Sequence, residues 1–404
     1  MDQQADSSKP GGNARAAGPL TGIVRYLFAY DVAREMARQP IATLLGQRVE
    51  QFQAPVRRAP REQFFYSPQM VVLPAERHRL GNASGPGGPG GAGSAGPGQS
   101  SDLLRMRCCL KLFPVGAISI AIDVPFAVEK LEDLADYHDL HLGGRAIERE
   151  ALDLANEAVR ELGDVLIGPV PTLRDEEAYT IFCVDAECLA ARAGPAAAGG
   201  LFSAAGWLEA NRAAVAGLLN DDDGRLLSDI EARETTSGFL TYRHDDLVVM
   251  DWDAALVVGP AGGLEDLLHV MELANVQLAE LVAYDRFLDD ALDRSYRDLA
   301  RPRGRMSGAV RNLREVRLDL SRLSDELSNT TKFFGDWHLA RVYQRLFTLF
   351  HLNDWQRVID EKLHTIGDLY QLVRQDQNNR WMLALEIAIL VLFIIELIPL
   401  VKGL

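Results

Sequence analysis

Two short stretches hold the residues best suited to chemistry. YHDLHL brings His138, Asp139 and His141 together at the end of a helix-like segment. An H-x-x-H spacing can supply two metal ligands, but a zinc site needs three or four, and no further ligand is marked nearby. The pair reads as a polar helix end. DDLVVMDWD sets Asp245, Asp246, Asp251 and Asp253 near strand ends. Paired carboxylates there could bind Mg2+ or work as acid and base; acids at strand ends far more often solvate turns, and they are read that way here. Cys108 and Cys109 are adjacent, and Cys183 and Cys188 follow a C-x4-C spacing. Neither pattern is a zinc framework or a C-x-x-C redox motif, so the four read as reduced, mostly buried thiols. The chain has no G-x-x-x-x-G-K-[ST], no G-x-G-x-x-G opening a helix and no G-x-S-x-G elbow. No catalytic residue, metal ligand or cofactor is assigned on this basis.

The elements that would have to position such groups fall into two blocks. Residues 1–19 are polar and small, and read as a disordered tail. Residues 20–260 mix strand-like and helix-like runs and read as an α+β domain. LTGIVRYLFAYDVA, MVVL, RMRCCLKLFPVGAISIAIDVP (with a Pro-Val-Gly turn), AYTIFCV and GFLTYRHDDLVVMDWDAALVV supply its strands. AVEKLEDLADYH, REALDLANEAVREL and the region Trp207–Leu219 have helical spacing. The Gly/Pro/Ser-rich stretch 81–102 reads as a disordered insertion within this domain.

After Gly259-Pro260 the character becomes helical, and residues 263–380 read as a coiled-coil hairpin and stalk. Leu267, Met271, Ala274, Leu278 and Leu281 follow alternating 4,3 spacing, and Leu288, Leu292 and Leu299 keep the frame, with Asp285 and Ser295 as polar seam positions that set register. Leu313, Val316, Leu320, Leu323 and Leu327 do the same on a second helix. Glu272 and Glu280, with Asn275 and Gln277 between them, read as the first helix's outer face. The Arg-rich stretch 301–322 is opposite in charge to that helix and is expected to pair with it. Arg303, Arg305, Arg311 and Arg314 form the patch that an anionic lipid or RNA would meet instead.

RWMLALEIAILVLFIIELIPL, from Arg380 to Leu400, reads as a transmembrane helix over 381–401. Basic residues before it and the positive-inside bias make the expectation a tail-anchored protein of the cytoplasmic membrane, its body in the cytoplasm. Glu386 and Glu396 inside the stretch, and the small pair Ala384 and Ala388, are expected at an interface between helices of a homo-oligomer. A net charge of −15 disfavours nucleic acid as a general partner.

The C-terminal quarter also carries a chain of motifs. Phe333, Phe334 and Asp336 are followed by Leu339, Tyr343, Arg345 and Leu346, then Arg357, Val358, Glu361, Lys362 and Leu363, and finally Leu385-Glu386. This order resembles the family required for meiotic nuclear division, also called the YagE-like domain of unknown function. The resemblance implies C-terminally anchored, self-associating proteins, some supporting translation at a membrane, and carries over no catalytic residue. The expectation is then a membrane-anchored, self-associating scaffold without catalytic activity. The alternatives are an RNA- or anionic-lipid-binding tether supporting translation, or a metal-dependent enzyme of unknown substrate.

Overall fold

The structure is a computed structural model that describes residues 18–51, 68–79, 103–299 and 337–402, apart from 38, 74–76, 143, 171, 174–176, 194–201 and 261. They divide into two compact units, the boundary falling between Asn275 and Val276. The insertion at 81–102, the second seam at 313–327 and the arginines of 301–322 lie outside the described residues.

Unit 1 is built on an eight-stranded sheet. Its strands are β1 (Leu20–Asp31), β2 (Glu50–Gln51), β3 (Gln69–Leu73), β4 (Arg107–Leu112), β5 (Ala117–Val128), β6 (Glu177–Asp185), β7 (Leu247–Met250) and β8 (Ala254–Gly259), in the spatial order β7-β8-β6-β1-β5-β4-β3-β2. All neighbours are antiparallel except β6 and β8, which run parallel. β1 lies between β5 and β6 with both faces covered, which is why it reads as a long apolar run rather than an alternation. It pairs along its whole length with β5, from Leu20 opposite Val128 to Asp31 opposite Ala117. The expected Pro-Val-Gly turn joins β4 to β5. Gly116 there has φ +103°, and a Cβ would stand 1.8 Å from the carbonyl oxygen of Ala33, so only glycine fits.

One face of the sheet is apolar. Val24, Tyr26, Phe28 and Tyr30 of β1 and Ile118, Ile120, Ile122 and Val124 of β5 belong to the main core. Against them lies α1 (Ile147–Leu162), burying Ile147, Ala151, Ala155, Ala158 and Leu162 at helical spacing. α2 (Ala186–Ala193), α3 (Ala204–Ala210), α4 (Arg212–Leu219) and α5 (Asp229–Thr236) complete unit 1's shorter helices; Ser203 and Ser228 cap α3 and α5 by accepting from Gly206 N and Glu231 N. AVEKLEDLADYH, expected as a helix, divides: Ala127 and Val128 finish β5, and only Glu132–Tyr137 turns, as a short 3-10 segment. Extending β5 opposite all of β1 outweighs the helical spacing.

The α+β class is therefore correct for the body, while the coiled-coil stalk is not shown. α6 (Glu265–Leu299) opens in unit 1 and ends in unit 2, where α7 (Trp337–Leu349) and α8 (Leu352–Lys402) follow. The transmembrane and tail-anchored expectation, and with it the membrane location, is corrected. Among the described residues no helix is long and apolar enough to cross a membrane.

Candidate functional site

The sheet's second face carries charge. In β1 the residues alternating with the apolar set are Arg25, Leu27, Ala29 and Asp31, and in β5 they are Asp123, Ala121, Ser119 and Ala117, paired in that order. β4 continues the row with Arg107, Cys109 and Lys111. The first part of α6 lies on this face. Glu265, His269 and Glu272 stand at i, i+4 and i+7, one stripe of a helix, and meet the basic groups of the strands.

Arg25 and Asp123 are opposite each other in register and form a buried bidentate pair, with Nε to Oδ1 at 2.5 Å and Nη2 to Oδ2 at 2.7 Å. Burial alone would lower the Arg25 pKa; the Asp123 carboxylate reverses this and holds the guanidinium above its ordinary value. Glu265 reaches Arg25 at 3.5 Å and Arg107 at 3.9 Å from the exposed rim. Deeper in, Lys111 and Ser119 face each other across β4 and β5 and both donate to one carboxylate: Lys111 Nζ to Glu272 Oε2, and Ser119 Oγ to Glu272 Oε1 at 2.7 Å. Burial would push the Glu272 carboxyl up, but the Lys111 ammonium holds it well below the usual carboxylate range. His269 Nδ1 lies 3.3 Å from Lys111 Nζ and 3.8 Å from Glu272 Oε2, and burial lowers its pKa. One turn past Glu272, Asn275 Nδ2 donates to the Glu177 carbonyl of β6 at 2.8 Å.

Glu272 and Glu280 are thus corrected from an outer face to the interior, at 1% and 3% exposure, and Asn275 and Gln277 are buried with them. Helices usually turn a polar stripe to water; at Glu272 the sheet supplies the counter-charge, from Lys111. The signal was present in the strands: Arg25, Lys111, Ser119 and Asp123 interrupt apolar runs on one period-2 face. The layer's groups are matched to each other rather than to a substrate, with Ser119 at 0% exposure and both Glu272 oxygens occupied.

The residues singled out in the sequence do not converge. His138 packs edge-on against Phe182, ring centres 5.0 Å apart, with Nε2 2.7 Å from the Leu218 carbonyl oxygen, whereas His141 is exposed and bonds the Asp139 carbonyl. Asp246 accepts from the backbone of Tyr242 and Arg243, and Asp251 from that of Trp252, so both shape turns. Burial, then the Asp251 charge, raises the Asp253 carboxyl. Among the described residues no group of three or more His, Cys, Asp or Glu could hold a metal ion. None of the four cysteines is in a disulfide; Cys183 is buried and the other three are partly buried. Burial pushes the Cys109 thiol up to about 11 and that of Cys183 up to about 12, which makes both poor nucleophiles.

In unit 2, Tyr343 of α7 donates to Gln277 Oε1 at 2.5 Å. Asp285, the expected polar seam residue, receives Lys362 of α8 at 2.6 Å, and the same ammonium reaches Asp289 at 2.6 Å. Ala384, Glu386 and Ala388 are exposed on α8. The side chain of Glu396 lies outside the described residues, as do Arg303, Arg305, Arg311 and Arg314.

Comparison with known proteins places the chain's likeness in unit 1. A family model described as uncharacterized protein MJ0711, N-terminal domain, matches residues 97–265. Uncharacterized protein MJ0711 of Methanocaldococcus jannaschii is 25% identical over 161 residues, 39% of this chain and 50% of that protein. The chain spans about half the length of that relative. No solved structure matches. These findings overturn the resemblance to the meiotic-nuclear-division family, which rested on 330–400. Its motif residues have a simpler account: Tyr343 and Leu346 are buried one turn apart on α7, Leu363 is buried on α8, and Lys362 serves the two aspartates, as packed helices require. The matched segment stops where α6 begins and omits β1, so Arg25, His269 and Glu272 all lie beyond it.

Proposed function

We propose that the protein is a self-associating, non-catalytic scaffold that carries its sheet domain on a helical assembly element. The observation behind this is the outer part of α8. Met382, Leu383, Leu385, Ile387, Ile389, Leu390, Val391, Leu392, Phe393 and Ile394 are each between 48% and 65% exposed. At about 100° per residue they surround the helix. A helix that is apolar all round is stable in water only when covered. Earlier on the same helix, Ile359, Leu363 and Ile366 are buried on one side, so the contrast lies within a single element. Other copies of the chain supply the cover in this reading. Sealing of the charged layer in unit 1 is consistent with a structural rather than a catalytic role for it.

Light scattering on the purified full-length chain tests the proposal. Wild type is expected at a defined multiple of 44.5 kDa, and Leu385→Glu/Leu392→Glu, one turn-pair on the same side of α8, at a much lower multiple with unit 1 still folded. A wild-type monomer, or an oligomer indifferent to the substitutions, sinks it.

A further inference from the structure

The charged layer contains a histidine, His269. His269 sits between a cation and an anion: its Nδ1 is 3.3 Å from Lys111 Nζ, close enough to accept an N–H from the ammonium while the ring is neutral. A protonated ring would have no acceptor to offer and would place a second positive charge against Lys111. We propose that the seating of α6 on the sheet is a proton-sensitive clasp, closed while His269 is neutral and loosened when it takes up a proton.

The surroundings make the sign definite. Charged groups acting on His269 include Lys111 from β4, and Glu272 and Asp266 from its own helix. β5 contributes the neutral Ser119 hydroxyl, and Asp123 of that strand is held by Arg25. Glu272 and Asp266 favour the charged ring, but burial and Lys111 oppose it, and the ring's pKa falls below its ordinary value. An unseated His269 regains the ordinary value of about 6.5. As pH falls below that value, the unseated form takes a proton that the seated form resists, so seating weakens until the seated ring also titrates. Glu272, held far below the usual carboxylate range, stays ionised throughout and loses its contribution only at lower pH. The two windows are separate.

The residues that α6 would release are Glu265, His269, Glu272 and Asn275, the turns that bond to β1, β4, β5 and β6. Amide hydrogen exchange of Leu268–Asn275 in the full-length protein, corrected for intrinsic rates, reads this opening. Between pH 7.5 and pH 5.5 the wild type is expected to open about five- to tenfold more often, since one pH unit below an ordinary histidine shifts such an equilibrium by at most about tenfold. His269→Gln keeps an acceptor for Lys111 without a titrating ring, and is expected to change less than about twofold over the same interval. A flat wild-type response, or the same slope in His269→Gln, overturns the clasp. Should His269→Gln fail to fold, NMR titration of the His269 ring in the wild type decides. A midpoint clearly below about 6.5 supports the clasp, and one at or above it overturns the clasp.

Discussion

The two faces of the unit 1 sheet are made from the same strands yet hold their helices by different means. On the first, Val24, Tyr26, Phe28 and Tyr30 meet the alanine-rich side of α1, and stability comes from apolar area and close packing. On the second, Arg25, Lys111, Ser119 and Asp123 meet Glu265, His269 and Glu272 of α6, and much of the contact is charge on charge. Apolar packing is indifferent to partner identity within limits of volume and to pH. A buried ion layer is neither. It tolerates a single arrangement, because removing one partner strands the other without water. The charged face is therefore expected to specify where α6 lies more strictly than it stabilises it.

The comparison is broken most severely at Glu272. Glu272→Leu leaves Lys111 buried without its carboxylate and is expected to cost about 3–5 kcal/mol in urea unfolding. Lys111→Met/Glu272→Leu removes both charges and is expected to recover most of that loss, as buried pairs replaced by apolar residues often do. If the double variant is no better than the single, the ion layer itself holds the helix and the contrast between the faces is one of strength as well as kind. On the apolar face, Ala155→Leu places a large side chain at a fully buried position of α1. It is expected to cost about 1–3 kcal/mol, with a dependence on pH unchanged from wild type between 5 and 8. A pH-dependent loss there would blur the distinction between the faces.

The apolar face was legible from the sequence and the charged face was not. Strands such as LTGIVRYLFAYD and AISIAIDV announce themselves by β-branched and aromatic residues, and REALDLANEAVREL by its spacing. Local pattern suffices for these because the partner of an apolar residue is any apolar surface. Glu272 needs a particular lysine 161 residues earlier, and no periodicity within α6 reports that. The same limit misplaced the C-terminal reading: an apolar run says that a surface must be covered, and its composition alone does not say by what.

Asp31, at the end of β1 on the charged face, offers the sharpest contrast within that face. Arg25, three pairs away on the same side, is charged and matched by Asp123, whereas burial alone raises the Asp31 carboxyl, to about 7. The unfolded chain ionises this group near 3.9. Between about pH 4 and 7 the native state therefore holds a proton that the unfolded state has lost, and stability declines as pH rises through that interval. Asp31→Asn keeps the shape and removes the titration. It is expected to stabilise the protein by up to about 4 kcal/mol at pH 8, to make little difference at pH 4, and to flatten the stability profile between. Urea midpoints across that range measure it. A variant less stable than wild type at pH 8 would mean that the Asp31 carboxylate is matched after all, as its neighbours on this face are, and that the layer extends to the end of the strand.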